Sequence, residues 1–275
     1  MARSHCAIEC KKAEESKRHS TGSGNAAQVE RQFSAEIHAI GHRVYCKHHR
    51  CGAHSGEYLV SKIISVNVGL PHTVVWHGRE VLTGIFKDPV EGRVFLRQLD
   101  LDGDRQADLA VHGGKYKAVY CYPLEHYSYW KQELPGYDLT MGNFGENFTT
   151  EGLVEDAVHL GDRFSIGSVE VVVTQPRLPC YKLGIRFQSD AMVKRFLASK
   201  RSGFYLAVVR EGEVGAGDEI KEVSRDPHHV SISEIIRLYL AKNYNDADIE
   251  LVRRALQVSS FPESWKKDFR AMLAD

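Results

Sequence analysis

One cysteine of this 275-residue chain lies in a segment that favours a reactive thiol. The segment is QPRLPCYKLGIRF, residues 175–187, in which Cys180 follows Pro176 and Pro179 and is surrounded by Arg177, Lys182 and Arg186. Proline restricts backbone motion, and nearby cations favour the thiolate, the form that attacks carbon or binds soft metals. A predicted strand ends just before it, where functional residues are often found. We therefore predict that Cys180 carries chemistry; a structural thiol at a strand end is the alternative.

Two glycine-rich segments supply further candidates. AVHGGKYKAV holds His112, Gly113, Gly114 and Lys115, and MGNFGENFTTEGL holds Asn143, Gly145, Glu146 and Asn147. Glycine lets backbone amides approach a ligand closely or form an anion-binding nest. Both segments are therefore predicted to contact a ligand, and a plain tight turn is the alternative for the adjacent glycine pair.

Two metal-like patterns are weaker. LDLDGDRQADL suggests a calcium loop through Asp100, Asp102, Asp104 and Asp108, but it lacks the twelfth-position glutamate and the flanking helices of an EF-hand. CKHHRCGAH suggests zinc, but its cysteines are widely spaced and the pair Cys6 and Cys10 lies far upstream, unlike structural zinc sites. We predict neither metal, and the common nucleotide-binding, metalloprotease and hydrolase signatures are absent from the sequence.

The composition limits the classes of partner. Hydrophobic residues make up 43% and charged residues 26% of the chain, as in ordinary globular proteins. Lys plus Arg and Asp plus Glu number 36 each, so no net charge points to a nucleic-acid polymer. No apolar run reaches the roughly 18 residues of a membrane helix, and the first 30 residues lack a secretory apolar region. A cytoplasmic protein without a membrane partner is expected.

The middle of the chain, residues 58–226, is predicted to be mainly β. Its β-branched runs are YLVSKIISVNVG, HTVVWHGREVLTGIF, GRVFLRQL, KAVYCYP and DRFSIGSVEVVVTQP, and FYLAVVREGEVGAGDEIKEVSR adds one or two closing strands. Many short strands with frequent turns favour a barrel or sandwich. Turns are predicted at residues 77–80 and 167–168, helices near residues 124–134 and 190–200, and a buried strand position for Cys121.

The two ends of the chain differ from the middle. Residues 1–57 are polar and show no sustained apolar period, so a disordered extension is predicted. After Pro227 the apolar period becomes helical, and Ser231 with Glu234 forms a capping box. Three helices are predicted in SISEIIRLYLAKNY, DADIELVRRALQV and PESWKKDFRAML. Residues 227–275 are therefore predicted to form a small three-helix domain.

Five short motifs occur in order along the chain: VHGG at 111–114, YPLEHYSYW at 122–130, FGENFTTEGL at 144–153, VHLGDRFSIG at 158–167 and QPRLPCYKL at 175–183. Together they resemble the MOSC domain family, and more closely its YiiM-like branch with a C-terminal three-helix domain. The resemblance covers about residues 59–273. It implies a MOSC-type β-barrel with a few inserted helices, which binds a molybdenum cofactor, a molybdenum–molybdopterin complex.

The resemblance also assigns roles to individual residues. The motif cysteine of the family binds molybdenum, so Cys180 is the expected catalytic metal ligand. The expected cofactor contacts are Gly113, Gly114, Lys115, Asn143, Gly145, Asn147, Arg177, Tyr181 and Lys182; guanidinium and ammonium groups suit phosphate. His112 is the first candidate proton donor, since an imidazole titrates near neutrality, and Glu146 is the second.

The activity that the resemblance implies is reductive. It is the conversion of N-hydroxylated compounds, such as base analogues of the 6-hydroxylaminopurine type, to amines. The sequence has no flavin or iron–sulfur pattern, so an external flavoprotein reductase is expected to supply electrons, with the C-terminal helices as a candidate docking site. A homodimer is left open. The alternatives are a cofactor carrier without catalysis and a sulfur-relay protein that uses a Cys180 persulfide.

Overall fold

The computed structural model describes residues 60–107 and 113–273. In these residues the strands are β1 Lys62–Val68, β2 His72–Trp76, β3 Arg79–Thr83, β4 Asp88–Pro89, β5 Arg93–Leu96, β6 Val119–Pro123, β7 Phe148–Glu151, β8 Arg163–Ile166, β9 Val169–Pro176, β10 Phe204–Arg210, β11 Gly212–Gly215 and β12 Ile220–Ser224. The helices are α1 Glu125–Glu133, α2 Tyr181–Arg186, α3 Met192–Ser199, α4 Ile232–Leu240, α5 Asp246–Gln257 and α6 Glu263–Met272. The predictions made for residues 1–57 and for His112 lie outside the described residues.

Eight strands form one sheet in the order β12-β8-β9-β10-β6-β7-β1-β4. Neighbouring strands are antiparallel except β6 and β7, which are parallel. A parallel pair needs a crossover connection, and here the crossover contains α1. The pairs β2–β3 and β5–β11 form two smaller sheets.

Both predicted tight turns are confirmed. His77 and Gly78 join β2 to β3 with φ values of 49° and 73°, the positive φ pair that a two-residue hairpin turn requires. Gly167 and Ser168 join β8 to β9, and Ile166 pairs with Val169 across the turn. Glycine takes the positive φ at residue 167 without strain.

The residues before β12 approach β1 from the other end of the sheet. The amide of Ile63 donates to the carbonyl of Asp218 at 2.9 Å, and that of Ile220 donates to Ser61 at 2.7 Å. An isolated bridge joins Lys62 to Glu219, but a continuous strand pairing between β1 and β12 is not formed within the described residues. The fold is therefore rich in sheet with inserted and C-terminal helices, and the closed barrel stays a prediction.

The predicted helices are present, and one further helix was not predicted. Helices α1 and α3 lie within the predicted ranges 124–134 and 190–200, and α4, α5 and α6 occupy the three predicted C-terminal segments. The capping box at Ser231 is confirmed, because its hydroxyl accepts from the amide of Glu234 and the Glu234 carboxylate accepts from the amide of Ser231. The short helix α2 directly after Cys180 is the addition. Among the described residues no helix combines the length and hydropathy needed to cross a bilayer.

The three C-terminal helices share a hydrophobic core with the large sheet. One cluster of buried residues joins Ile232, Ile235 and Leu251 of the helices to strand residues such as Val171 and Val173. Cys121 belongs to this cluster and is 1% exposed, which confirms its predicted buried strand position. Backbone hydrogen bonds also join the two parts, since Val230 accepts from Leu160 at 2.8 Å. The helices therefore stabilise the sheet that positions the functional residues.

A second cluster of buried residues is mostly aromatic. It is built from α1, α3, β6 and the loop before β7, and its largest members are Tyr120, Tyr122, Tyr127, Trp130, Phe144, Phe187 and Phe196. The Trp130 indole donates to the Tyr122 hydroxyl at 2.6 Å, so the buried polar atoms of these rings find partners. The aromatic residues of α1 therefore form core, and Tyr120 extends from this core to a cleft.

Candidate functional site

A cleft lies beside the segment that follows β9. It holds about 640 Å³ of unfilled space, including its mouth. The described residues that line it are Thr83, Gly84, Ile85 and Lys87 at and after the end of β3; Asp104, Gln106 and Ala107 after β5; Lys117 and Tyr120 at β6; Gly145 and Asn147 before β7; Arg177, Leu178, Cys180 and Lys182 after β9; and Tyr205 of β10. A concave site with a mixed polar and apolar lining suits a small-molecule ligand.

Cys180 lines this cleft at the junction of β9 and α2. The predicted strand before it is confirmed, since β9 ends at Pro176. Cys180 has an extended backbone, and its carbonyl accepts from the amide of Leu183 at 2.9 Å, which begins α2. The side chain is half-buried and forms no disulfide. The junction therefore fixes a free thiol at the wall of a cleft.

Arg177 lies three residues earlier and is almost fully buried in the same wall. Its guanidinium lies 5.2 Å from the ring centre of Tyr120 and 5.0 Å from that of Phe196, within the range of cation–π attraction. Its Nη1 is buried and makes no hydrogen bond. Burial raises the pKa of the neighbouring Tyr205 phenol, and the Arg177 charge opposes this shift. Tyr205 is therefore a neutral hydrogen-bonding group beside a buried cation.

Two lysines add positive charge to the lining. Lys182 is buried, as a residue of the first turn of α2. Lys117 comes from the short turn before β6; burial lowers its pKa, and the proximity of Cys180 opposes that shift. Lys117 is a lining residue that was not among the predicted contacts, although it lies two residues after Lys115 in the glycine-pair segment. The three residues Lys115–Lys117 form a single 3₁₀ turn, so no period in the sequence separates an inward lysine from an exposed one.

Another part of the lining is a buried ion pair. Lys87 forms a salt bridge with Asp104, which is 1% exposed. The other partners of this carboxylate are the amide of Gly69 at 2.9 Å and the side-chain amide of Asn147 at 2.8 Å. Asp104 is the only carboxylate among the described lining residues. Because it neutralises Lys87, the charges of Arg177 and Lys182 have no acidic counterpart in the described lining.

The carboxylates of the calcium-like segment are held by cations. Asp100 pairs with Arg105 at 2.9 Å and Asp102 with Arg97 at 2.6 Å, while Asp104 holds Lys87 as described. Asp108 lies outside the described residues. No cluster of three or more His, Cys, Asp or Glu side chains that suits a metal ion occurs in residues 60–107 and 113–273.

Glu146 does not line the cleft but organises the loop that does. Its carboxylate is fully buried and accepts hydrogen bonds from the Tyr127 hydroxyl, the amides of Gly142 and Phe144 at 2.9 and 3.0 Å, and the Thr149 hydroxyl at 3.1 Å. Burial raises the pKa of Glu146, and these hydrogen bonds oppose the shift. The arrangement holds the neighbouring residues Gly145 and Asn147 against the cleft.

The remaining predicted site residues lie at varying distances from the lining. Gly113, Gly114, Lys115, Asn143 and Tyr181 are not among the lining residues. Asn143 is buried and bonds to Arg186 and to the carbonyl of Asp138; Arg186 also stacks over Phe86. Of the predicted contacts, the structure therefore brings together Cys180, Arg177, Lys182, Gly145 and Asn147.

These residues fit an anionic ligand that brings its own metal. A single thiolate is a soft donor, and the described residues add no second donor cluster, so a metal here would need most of its ligands from elsewhere. The charge of Lys182 and the unpaired Nη1 of Arg177 fit the phosphate and oxo groups of such a ligand. The donor set therefore suits a metal–pterin complex better than a bare cation.

Comparisons with known proteins identify relatives of this chain. The MOSC domain model matches residues 108–221, a range that includes Cys180 and most of the lining. Uncharacterized protein YflK of Bacillus subtilis is 38% identical over 208 residues, covering 75% of this chain and 92% of the relative. Protein YiiM of Escherichia coli is 34% identical over 187 residues, covering 67% of this chain and 82% of the relative. A protein named reductase from Gibberella moniliformis is 33% identical over 171 residues, which are 60% of this chain but 30% of that longer protein.

A solved structure agrees with the fold. YiiM from Geobacillus stearothermophilus superposes with a TM-score of 0.64 at 33% identity, and the match covers 78% of this chain and 99% of that one. The match covers nearly the whole of that structure and most of YflK and of YiiM. It therefore supports the family resemblance that the motifs around Cys180 suggest. The chain therefore belongs to the MOSC domain family, among the proteins that resemble YiiM.

Proposed function

We propose that the protein is a molybdenum-cofactor-dependent reductase of N-hydroxylated compounds. The observation that carries the proposal is the free Cys180 thiol in a cleft whose cations exceed its carboxylates. Family membership supports cofactor binding, and the reductase name of the Gibberella moniliformis relative supports a reductive reaction. The overall reaction cleaves the N–O bond of an N-hydroxylamine with two electrons and two protons, which yields an amine and water.

The residues of the cleft have distinct roles in this proposal. When bound, the molybdenum cofactor supplies the two-electron chemistry that side chains lack. Cys180 holds the metal through its thiolate, and Arg177 with Lys182 holds the anionic part of the cofactor. Asn147 and the backbone of Gly145 form the wall that fixes its position. The substrate class, base analogues of the 6-hydroxylaminopurine type, comes from the family resemblance.

In this proposal an external donor supplies the electrons. Cys180 is the only thiol among the described residues that line the cleft, so these residues contain no dithiol that could store two electrons. A flavoprotein reductase is the proposed donor, because a flavin takes two electrons from a nicotinamide and passes them to a metal centre. Protons reach the substrate from the solvent or from a group at the mouth; Glu146 is already occupied by four hydrogen-bond donors.

The test compares Cys180→Ser with Cys121→Ala in protein produced in a host that makes the cofactor. Cys121 is the matched control, because it is the other cysteine of the described residues and is buried in the core. We expect Cys180→Ser to lose at least 100-fold in turnover of 6-hydroxylaminopurine with a chemical reductant. Cys121→Ala should retain wild-type turnover per folded molecule. Metal and pterin content and X-ray absorption at molybdenum are measured on the same samples.

The outcomes separate the proposed function from its alternatives. Wild-type turnover in Cys180→Ser, or no sulfur ligand from the protein at the metal, rejects the assigned role of Cys180. Tight cofactor uptake by the wild type without turnover under several reductants points instead to a carrier. A persulfide on Cys180 after incubation with a sulfur donor, in protein free of molybdenum, points to a sulfur relay.

A further inference from the structure

The short helix α2 connects Cys180, which lies immediately before its first residue, to Arg186, its last residue. An α-helix rises about 1.5 Å per residue, so the two residues lie about 9 Å apart along the axis. Isolated helices as short as six residues are not stable in water. The position of α2 therefore depends on contacts that its side chains make, and a contact that holds its last turn also helps to position the thiol.

The first anchor of α2 is Leu183 in the middle of the helix. This side chain is fully buried in the aromatic cluster, together with Phe187 directly after the helix. Apolar contacts of this kind are not directional, so they hold the helix against the core without fixing its tilt. A directional contact near one end of α2 is needed to fix the direction in which the other end points.

Arg186 supplies such a contact at the end of α2. Its guanidinium lies 5.1 Å from the ring centre of Phe86, within the range of cation–π attraction, and donates a hydrogen bond to Oδ1 of Asn143. Asn143 is itself fixed, because it is 1% exposed and its side-chain amide donates to the carbonyl of Asp138 at 3.1 Å. The guanidinium therefore links α2 to two rigid partners.

Both partners belong to segments that line the cleft. Phe86 lies between two lining residues, and Asn143 lies two residues before the lining residue Gly145. These two segments already pack closely, since a Cβ atom on Gly145 would lie only 3.0 Å from Cγ1 of Ile85. Arg186 joins α2 to this pair, so a single side chain connects three of the segments that form the wall of the cleft.

Packing alone does not account for a guanidinium at this position. Nε of Arg186 is buried and has no hydrogen-bond partner among the described residues, which is unfavourable for stability. The backbone of the same turn is held separately, because the Tyr137 hydroxyl donates to the carbonyl of Arg186 at 3.0 Å. Loss of the Arg186 side chain should therefore loosen α2 without unfolding it.

We propose that Arg186 is a positioning residue, which holds the last turn of α2 against Phe86 and Asn143 and thereby fixes Cys180 for its bond to the metal of the cofactor. Arg186 does not line the cleft, so it acts through the helix and not by touching the cofactor or the substrate. The link between the three segments follows from the contacts alone, whereas its effect on the metal rests on the proposed function.

The first experiment measures amide hydrogen exchange by mass spectrometry on the cofactor-free protein. Arg186→Met keeps an apolar side chain of similar length and removes the guanidinium. Exchange should become about tenfold faster in residues 142–147 and 178–187, because the two segments lose a hydrogen bond from a charged donor that opposes local opening. Strand β9 should keep the exchange rates of the wild type.

Arg237→Met is the matched control, because Arg237 also links two helices, through an ion pair with Asp248 of α5. It should leave residues 142–147 and 178–187 at wild-type rates. Wild-type rates in Arg186→Met, or equal acceleration of both segments in the two variants, would overturn the proposal. If Arg186→Met does not fold, Asn143→Ala removes the same hydrogen bond from the other partner and decides by the same criteria.

The second experiment uses the cofactor-loaded enzyme. The protein-sulfur contribution to X-ray absorption at molybdenum should fall in Arg186→Met towards its level in Cys180→Ser. We expect kcat for 6-hydroxylaminopurine to fall about tenfold and KM to stay within about twofold of wild type, because Arg186 does not touch the substrate. Combining Arg186→Met with Asn143→Ala should lower kcat no further than the stronger single substitution, since both remove one contact.

The outcomes separate this inference from the proposed function. An unchanged sulfur contribution in Arg186→Met would overturn the positioning role whatever the turnover, and so would a raised KM with wild-type kcat. A wild type that binds the cofactor without turnover would reject the reductase alone, because the X-ray absorption of Arg186→Met still tests the positioning role. A wild type that takes up no cofactor would reject both.

Discussion

Single residues around the cleft differ in whether they face the ligand or support the wall. Arg177 faces the cleft with an unpaired nitrogen, whereas Glu146 is buried behind the wall with both oxygens engaged. From residue type alone, Glu146 would be expected to face the ligand, since a carboxyl group in a glycine-rich loop is a familiar proton donor. Hydrogen-bond partners, and not residue type, decide between the two roles.

Glu146→Gln should lower stability without changing the pH dependence of turnover. The amide nitrogen of glutamine replaces an acceptor oxygen, so at least one of the amides of Gly142 and Phe144 or the Tyr127 hydroxyl loses its partner. An unpaired buried donor costs about 1–3 kcal/mol, which urea unfolding measures. Glu250→Gln, at an exposed position of α5, is the control and should change the free energy of unfolding by less than about 0.5 kcal/mol.

A different result for Glu146→Gln would contradict this supporting role of Glu146. Wild-type stability combined with loss of one limb of the pH profile of turnover would identify this carboxyl group as the proton donor. The prediction that Glu146 is the second candidate donor would then be correct, and the hydrogen bonds of the loop would have to rearrange during turnover.

At the scale of elements, a side-chain hydrogen bond between His126 and Glu155 ties α1 to the start of β10. His126 of α1 lies 2.7 Å from the carboxylate of Glu155, which also accepts from the amide of Gly203 at 2.7 Å. The backbone carbonyl of Glu155 accepts a hydrogen bond from the amide of Ser233 in α4 at 3.1 Å. Glu155 thus joins three elements that surround the aromatic cluster and the cleft.

This tie predicts a loss of stability in acid. Burial would raise the pKa of Glu155, but the hydrogen bonds from His126 and Gly203 outweigh burial and the pKa lies below its ordinary value. A lowered folded-state pKa stabilises the fold above the unfolded-state pKa of about 4.3, and the contribution is lost as the pH falls through the folded-state value. Glu155→Gln should therefore be about 1–3 kcal/mol less stable than wild type at pH 7.

The difference between wild type and Glu155→Gln should shrink as the pH falls from 5 towards 3, which is measured by urea unfolding at each pH. Glu222→Gln removes an exposed pair with Arg225 and should show a small difference throughout. A gap for Glu155→Gln that is constant with pH would mean that the Glu155 charge does not stabilise the tie.

At the scale of the whole molecule, the sequence predicts features that depend on neighbouring residues. It does not predict contacts between residues that are far apart in the chain. The turn at His77–Gly78 and the capping box of Ser231 and Glu234 were predictable, because each depends on residues within one turn. The thiol of Cys180 was predictable from its neighbours in the chain. The pairing of Asp104 with Lys87 and Asn147 was not, since those partners lie 17 and 43 residues away.

The order of the strands in the sheet explains why Lys117 was not predicted as a site residue. Lys117 lines the same cleft as Cys180 because β6 and β9 both pair with β10. Apolar periodicity predicts that a segment is a strand but carries no information on its neighbours in the sheet. Helix α2 has only six residues and contains Gly184. A segment this short shows too few helical repeats of apolar residues for the sequence to predict it as a helix.

The shared core makes a last prediction about the C-terminal helices. Deleting residues 227–275 should leave a chain that does not unfold cooperatively, because Ile232, Leu251 and Phe261 belong to the same buried cluster as β9. Each such side chain contributes about 1.5–3 kcal/mol by burial, and a whole domain is stable by only about 5–15 kcal/mol. Circular dichroism during urea unfolding measures the effect, with full-length Lys267→Ala as the surface control. A truncated chain with the wild-type midpoint would instead establish an independent sheet domain, and only then could truncation test whether these helices dock the electron donor.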